Sequence, residues 1–303
     1  MPLALPADIT NVNAVFGRDE RDVWMTATAK NGARLALHWD GANVSREDMS
    51  PCRLPLSEPS LSLGPDGPIV LDVAHKEYGP MYSQAHRTSK GAWECDERES
   101  SARSFWLGTE VLRFASGVAG PTLSGRLLPP LDNTSMPQGP VEIIACAVDD
   151  VWIHSPGHPA IWHWNGLSYE DRSARLGTTS RMLADAACGV WVVGRRAAEA
   201  AGNIGSKATL RWNGSTQTWD CLPSPPASDV QRLVALNERD AWYLCKEEAY
   251  HWDGASFQRG ALPTGVIEGA WISPSGELWI VGTEQAGSAD RGFVYRAARG
   301  GEP

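Results

Sequence analysis

Leu35-Ala36-Leu37-His38-Trp39-Asp40-Gly41 decides the fold, because it returns. Ile161 to Gly166 reads I-W-H-W-N-G, Leu210 to Gly214 reads L-R-W-N-G, and Tyr250 to Gly254 reads Y-H-W-D-G. Each copy alternates apolar and polar residues, as a half-buried strand does, and ends in Asp-Gly or Asn-Gly. That ending predicts a hairpin with a type I′ turn, whose two central residues both take positive φ. One kind of turn recurring along one chain predicts a repeat architecture.

A second run precedes each hairpin. It reads Asp22-Val23-Trp24, Ser104-Phe105-Trp106, Asp150-Val151-Trp152, Gly189-Val190-Trp191, Asp240-Ala241-Trp242 and Glu277-Leu278-Trp279, and Pro68 to Asp72 fills the gap without a Trp. A short apolar run lies upstream of most copies, and a run often ending in Leu-Pro lies downstream, as at Leu54-Pro55, Leu128-Pro129, Leu222-Pro223 and Leu262-Pro263. The unit is therefore four short antiparallel strands, a, b, c and d. Its anchors recur every ~43 residues, the period of a propeller blade. The expected fold is all-β: a seven-bladed β-propeller of four-stranded antiparallel blades, one domain over residues 1–303. Between 60 and 130 the second unit lacks a Trp and an Asp-Gly turn, and the third lacks a strand a; six blades are the alternative. The last unit stops after strand c. Pro2-Leu3-Ala4-Leu5-Pro6 looks like the missing strand d, so residues 2–6 are expected to complete the last blade and close the fold.

The repeat, D-x-W-x-x-G followed by H-W-[DN]-G and then L-P, resembles bacterial β-propeller repeat proteins of the kelch-like and two-component-regulator-propeller type. The resemblance covers most of the chain, and residues 141–300 best. It implies a fold rather than an activity. Such propellers act as lectins, protein scaffolds, sensors and in some cases lyases or hydrolases, and no active site transfers.

Bulk properties narrow the partners. There are 27 basic and 36 acidic residues, for a net charge of −9, and no Lys/Arg run exceeds two. Phosphate binding needs a basic stripe, so nucleic acid is excluded as the main partner. No apolar run reaches the ~18 residues of a membrane-spanning helix. The first residues lack the pattern of a signal peptide. The six Cys form no CxxC and no paired spacing, and are read as free thiols. A cytoplasmic, monomeric protein is expected, with export after removal of a signal peptide as the alternative.

The a–b and c–d turns are short and alike. The b–c and d–a connections vary and lengthen, over 74–80, 129–140, 154–160, 194–208 and 283–292. Long insertions on one face of a repeat protein mark a binding face. The candidates there are His75, Tyr78 and Tyr82, then His154 and His158, Arg195 and Arg196, and Lys246. Arg195-Arg196 has the chemistry to grip a carboxylate or phosphate. His154 and His158 are four apart, but Pro156, Gly157 and Pro159 bar the helix that would align them, and a third ligand is missing. No metal or cofactor is therefore assigned.

His38, His163 and His251 share one repeat position, where the fifth unit has Arg211. They are either per-blade sugar sites or scaffold. Alternation puts Trp39 beside Leu35 and Leu37, which favours scaffold. Trp24, Trp39, Trp106, Trp152, Trp164, Trp191, Trp212, Trp242, Trp252 and Trp279 are accordingly read as the structural repeat. Asp22, Asp150 and Asp240 share a position in the a–b turn and are read as turn chemistry. Neither G-x-S-x-G nor H-E-x-x-H occurs, and no catalytic residue is assigned. The expected function is a non-enzymatic platform that binds a protein through the b–c/d–a loop face. The alternatives are a lectin-like, glycan-binding propeller and a lyase or hydrolase acting at the channel mouth.

Overall fold

A computed structural model describes residues 1–49, 52, 60–63, 68–76, 79–88, 90–100, 102–107, 110–115, 126–127, 142–154, 157–173, 176–185, 187–196, 207–226, 230–246, 248–287 and 289–298. They form seven sheets and, among the described residues, no helix. By its contacts the chain divides into two compact units, Met1–Ser101 with Asp229–Pro303, and Ala102–Ser228.

The first unit holds four sheets. In the first are β1 (Ile9–Asp19), β2 (Asp22–Ala29), β3 (Arg34–Trp39) and β4 (Val44–Asp48). In the second are β5 (Ser60–Leu63), β6 (Pro68–Lys76), β7 (Gly79–Arg87) and β8 (Trp93–Ser100). The sixth has β20 (Val230–Asn237), β21 (Asp240–Cys245), β22 (Glu248–Trp252) and β23 (Phe257–Ala261), and the seventh β24 (Val266–Ile272), β25 (Leu278–Ala286) and β26 (Ala289–Ala297). Each is an antiparallel meander in chain order, because successive short strands are joined by tight turns. Their first strands lie side by side, β20 next to β24, β24 next to β1, and β1 next to β5. Ile9, Val12, Val15, Met25, Leu37 and Trp39 pack on Trp279, Val281 and Val294 between the first and seventh sheets. Trp242, Leu244 and Ala249 pack on Ile267, Leu278, Ile280 and Phe293 between the sixth and seventh. Each fully buried large apolar side chain adds about 1.5–3 kcal/mol.

The N-terminus extends the seventh sheet. Pro2 bridges Tyr295, Leu3 N donates to Val294 O at 2.9 Å, and Arg296 N donates to Met1 O at 3.0 Å. The expected strand d is thus a short antiparallel segment on β26, with Leu3 and Leu5 packed against the core of the first and seventh sheets.

The second unit holds three sheets. β9 (Ala102–Leu107), β10 (Glu110–Ala115) and β11 (Arg126–Leu127) form the third, in which β11 runs parallel to β10 rather than antiparallel as expected. Among the described residues β9 is an edge, and no strand a precedes it in that sheet. The polar run from Cys95 belongs to β8, the last strand of the second sheet. The fourth sheet has β12 (Glu142–Ala147), β13 (Asp150–His154), β14 (Ile161–Trp164) and β15 (Tyr169–Asp171). The fifth has β16 (Leu176–Ala184), β17 (Val190–Arg196), β18 (Lys207–Asn213) and β19 (Thr218–Leu222). Trp152 and Ile161 of the fourth sheet pack on Met182, Val190, Val192 and Leu210 of the fifth.

The Asp/Asn-Gly turns are not type I′. In three of them only the Gly takes positive φ, 93° at Gly41, 90° at Gly166 and 89° at Gly254, whereas in the turn after Asn213 it is Gln217 that does, at 57°. Trp39 pairs with Val44, Trp164 with Tyr169 and Trp252 with Phe257, so each loop is four residues long. The Asp or Asn side chain folds it. Oδ1 of Asp40 accepts from the backbone N of Ala42 and Asn43 at 2.8 and 2.7 Å, Asn165 from Leu167 and Ser168, and Asp253 from Ala255 and Ser256. This local bond replaces the second positive φ.

The free-thiol reading is overturned for four of the six Cys. Disulfides join Cys52 to Cys95 and Cys146 to Cys188, at sequence separations of 43 and 42. Each separation is about one repeat, so each bond ties one sheet to the next within its own unit. Cys221 is exposed and Cys245 buried, and neither is in a disulfide.

Candidate functional site

The repeated motif builds a lock at the turn end of five of the sheets, the first and the fourth to seventh. In the first sheet Trp24 Nε1 donates to Asp22 Oδ1 at 2.9 Å, and His38 Nε2 lies 2.8 Å from the same oxygen. The fourth sheet repeats this with Trp152, His163 and Asp150, both contacts being 2.9 Å. In the sixth, His251 Nε2 is 2.8 Å from Asp240 Oδ1 and stacks on Trp242. Arginine replaces the imidazole twice. Arg211 pairs with Asp185 at 3.4 Å over Trp191, and Arg296 with Glu277 at 3.0 Å over Trp279. The bond from His163 holds the Asp150 carboxyl below its usual range, whereas burial pushes that of Glu277 up.

Asp22 and Asp150 therefore do more than turn chemistry, since each holds an indole and an imidazole. The second Trp of the motif secures the a–b turn. Nε1 of Trp39, Trp164 and Trp252 donates to the carbonyls of Glu20, Val148 and Glu238 at 3.1, 3.2 and 3.0 Å. The a–b turn in turn covers the Gly of the c–d turn. A Cβ on Gly166 would sit 2.7 Å from Asp149 Cβ, and one on Gly254 2.7 Å from Arg239 Cβ. Trp212 meets Trp152 edge to face, with ring centroids 5.3 Å apart, and Trp106 lies in β9.

The other end of each sheet, where b–c and d–a connections lie, is not uniform. In the first sheet a short turn at Ala29–Ala33 joins β2 to β3. In the seventh, β25 and β26 stay paired to Ala286 and Ala289, although β24 begins at Val266 opposite Thr283. The segment 283–292 is thus largely a two-stranded ribbon rather than an open loop. The segment 74–80 likewise is mostly strand, since His75 pairs with Pro80 and Lys76 with Gly79.

The predicted site residues fall as follows. His75 lies in β6 and Tyr82 in β7, in strands rather than in a loop, while Tyr78 lies outside the described residues. His154 is not on a loop either. It ends β13, is 1% exposed, and its Nδ1 is 3.3 Å from Glu142 Oε2, which also accepts from Met182 N. His158 Nδ1 accepts from Ala160 N at 3.1 Å. Arg195 and Arg196 end β17, where Arg195 is exposed and pairs across to Lys207. Lys246 is exposed just after β21. Among the described residues no group of three His, Cys, Asp or Glu is placed to hold a metal ion. Residues 129–140 and 197–206 lie outside the described residues.

No protein-family model matches the sequence, and no curated protein matches it. Solved structures do match in fold. The extracellular domain of a putative one-component system from B. thetaiotaomicron matches with a TM-score of 0.57 and 9% identity, over 98% of this chain and 42% of that one. The chain thus spans less than half of that protein's length. Sqt1 of Saccharomyces cerevisiae matches with a TM-score of 0.50 and 10% identity, over 98% and 99% of the two chains. The fucose-specific lectin of Aleuria aurantia gives a TM-score of 0.48 and 11% identity, over 97% of each chain. These neighbours are β-propeller proteins, and at such identities the likeness is one of fold.

Proposed function

We propose that the chain is a non-catalytic binding platform that holds a protein partner with the b–c/d–a ends of its sheets. One observation carries it: the two ends of the sheets are built differently. At the turn end the motif side chains are engaged in holding the fold. At the other end the connections differ from sheet to sheet and present exposed polar groups, among them Lys30, Arg195, Lys246 and Arg291. Among the described residues Lys30, Arg195 and Lys246 make no ion pair, which suits a partner that brings carboxylates. The engaged Trp and His side chains weigh against a sugar site at the repeat motif.

The two disulfides support an oxidising compartment as the working location, in place of the cytoplasmic expectation. The platform reading is tested by affinity capture from the source organism, followed by binding assays on the captured protein. Arg195→Glu with Lys246→Glu should weaken binding at least tenfold, and Leu167→Ala at the turn end should not. Equal binding by all three proteins would remove the reading.

A further inference from the structure

The first strands of four sheets share a defect in register. Among its register shifts each has one at a shared level, at Asn13 in β1, Ser180 in β16, Gln231 in β20 and Glu268 in β24. The bulge always falls three residues before the partner of the b-strand Trp: Phe16 pairs with Trp24, Leu183 with Trp191, Val234 with Trp242 and Trp271 with Trp279. A bulge leaves one residue out of the ladder and re-aims its side chain, and bulges at one repeated position are features rather than accidents.

In the first unit three of these bulges lie on adjoining strands. Arg232 Nη2, next to Gln231, donates to Glu268 O at 2.7 Å. A Cβ on Gly269 would lie 3.1 Å from Ala14 Cα and 3.3 Å from Asn13 O, so β24 and β1 nearly touch at this level. Asn13, Glu268 and Gln231 therefore follow one another across three sheets. Asn13 Oδ1 is buried and has no hydrogen-bond partner. The Glu268 carboxylate is partly exposed and makes no ion pair among the described residues, and Gln231 is exposed. An acceptor buried without a donor is a cost that a native structure rarely keeps without a use. Further along the same two strands, Phe16 is 36% exposed and its ring lies 5.9 Å from that of Trp271. Three strand residues separate the two levels by about 10 Å.

We propose that this line along β20, β24 and β1 is a carbohydrate subsite, in which Asn13, Gln231 and Glu268 bind hydroxyls and Phe16 with Trp271 offers ring faces to the sugar's C–H side. The chemistry is that of a polyol. A hydroxyl donates to Asn13 Oδ1 and to Glu268, and accepts from the Gln231 amide, whereas a simple anion or cation satisfies only half of that set. The ~10 Å between the polar and aromatic levels suits a short oligosaccharide lying along the strands. The site is separate from the repeated Trp–His positions and independent of the protein-platform reading.

The test is an array of neutral and acidic mono- and oligosaccharides probed with the whole protein, followed by titration of the sugar that binds, read by Trp fluorescence. Saturable binding of a neutral oligosaccharide is expected, weakened at least tenfold by Asn13→Ala and by Glu268→Gln at unchanged melting temperature. Should Asn13→Ala unfold, Glu268→Gln and the exposed Gln231→Ala decide. An array with no bound sugar, or binding unaltered by these substitutions, overturns the subsite and leaves the platform reading standing.

Discussion

The indole of Trp24 lies on the imidazole of His38 with ring centroids 4.0 Å apart, and both rings reach one atom, Oδ1 of Asp22. Removing that carboxylate leaves an indole N–H without its acceptor. Asp22→Ala should therefore cost about 1–3 kcal/mol in denaturant unfolding. Asp240→Ala should cost more, because the Asp240 side chain is 5% exposed against 26% for Asp22. A loss equal to that of an ordinary surface substitution at both sites would show that the locks do not stabilise the sheets.

The fifth sheet makes its lock from different parts. Gly189 stands where the first, fourth, sixth and seventh sheets have Asp or Glu, and Asp185 reaches in from the turn, accepting from Trp191 Nε1 at 3.0 Å. A Cβ on Gly189 would lie 2.5 Å from both Asp185 Oδ2 and Arg211 Nη2. Gly189→Ala should push both groups aside and cost about 1–3 kcal/mol through the lost bond to Trp191. A variant as stable as the parent would mean that the lock tolerates the displacement.

Much of this was legible in advance, and the limits have physical causes. Strands with a period of two and a Trp anchor can be placed closely: the runs that begin at Asp22, Asp150 and Asp240 open β2, β13 and β21. The locks were half visible. Asp22, Trp24 and His38 each stand out in the repeat, but which oxygen meets which ring depends on cross-strand register, here Trp24 opposite His38. The type I′ turn misled because Asp-Gly also suits a four-residue loop closed by the Asp side chain. The disulfides do leave a signal in the spacing of the Cys. Cys52 and Cys95, like Cys146 and Cys188, stand one repeat apart, and residues one repeat apart fall on neighbouring sheets. Lengths such as 74–80 and 283–292 read as loops because polar residues in a two-stranded ribbon look like loop residues. Bulges at Asn13 or Glu268 leave no mark in hydrophobic pattern at all.

The disulfides yield the next expectation. Each closes a loop of some 40 residues, which in the chain-entropy picture stabilises by about 4 kcal/mol. The non-reduced, denatured protein should titrate as two thiols, Cys221 and Cys245, and the reduced protein as six. Reduction should lower the melting temperature, and replacing one bonded pair with Ser should lower it part of the way. Six thiols without reductant would remove both bonds and the oxidising compartment with them.

The turn carboxylates set an acid limit. Backbone N–H groups of Ser256 and Ala255 hold the Asp253 carboxyl down to about 2 from its ordinary 3.8, and those of Asn43 and Ala42 lower Asp40 in the same way. A carboxyl depressed by folding stabilises above its unfolded value and ceases to do so as pH falls through the folded one. The contribution of Asp253 should thus be complete above pH 3.8 and fade towards pH 2. Asp253→Asn keeps the accepting oxygen, as Asn165 and Asn213 do in their own turns. It should flatten the melting temperature against pH across that window. An unchanged slope would place the acid sensitivity elsewhere.

The N-terminal segment is small, yet it covers an edge. Without it β26 would present the backbone groups now used by Met1 to Leu3, and an open edge strand invites pairing with another chain. Deleting residues 1–8 also strips Leu3 and Leu5 from the core between the first and seventh sheets, and breaks the contact of Asp8 with Arg46 at 3.0 Å. Burial of two partly covered Leu contributes on the order of 1–3 kcal/mol, whereas the exposed ion pair adds less than about 1 kcal/mol. The truncated protein should melt lower and form larger species in light scattering as its concentration rises. If it melted lower but stayed monodisperse, the segment would act through the core alone. An unchanged melting temperature would mean that β26 is stable as an edge and that the first residues are dispensable.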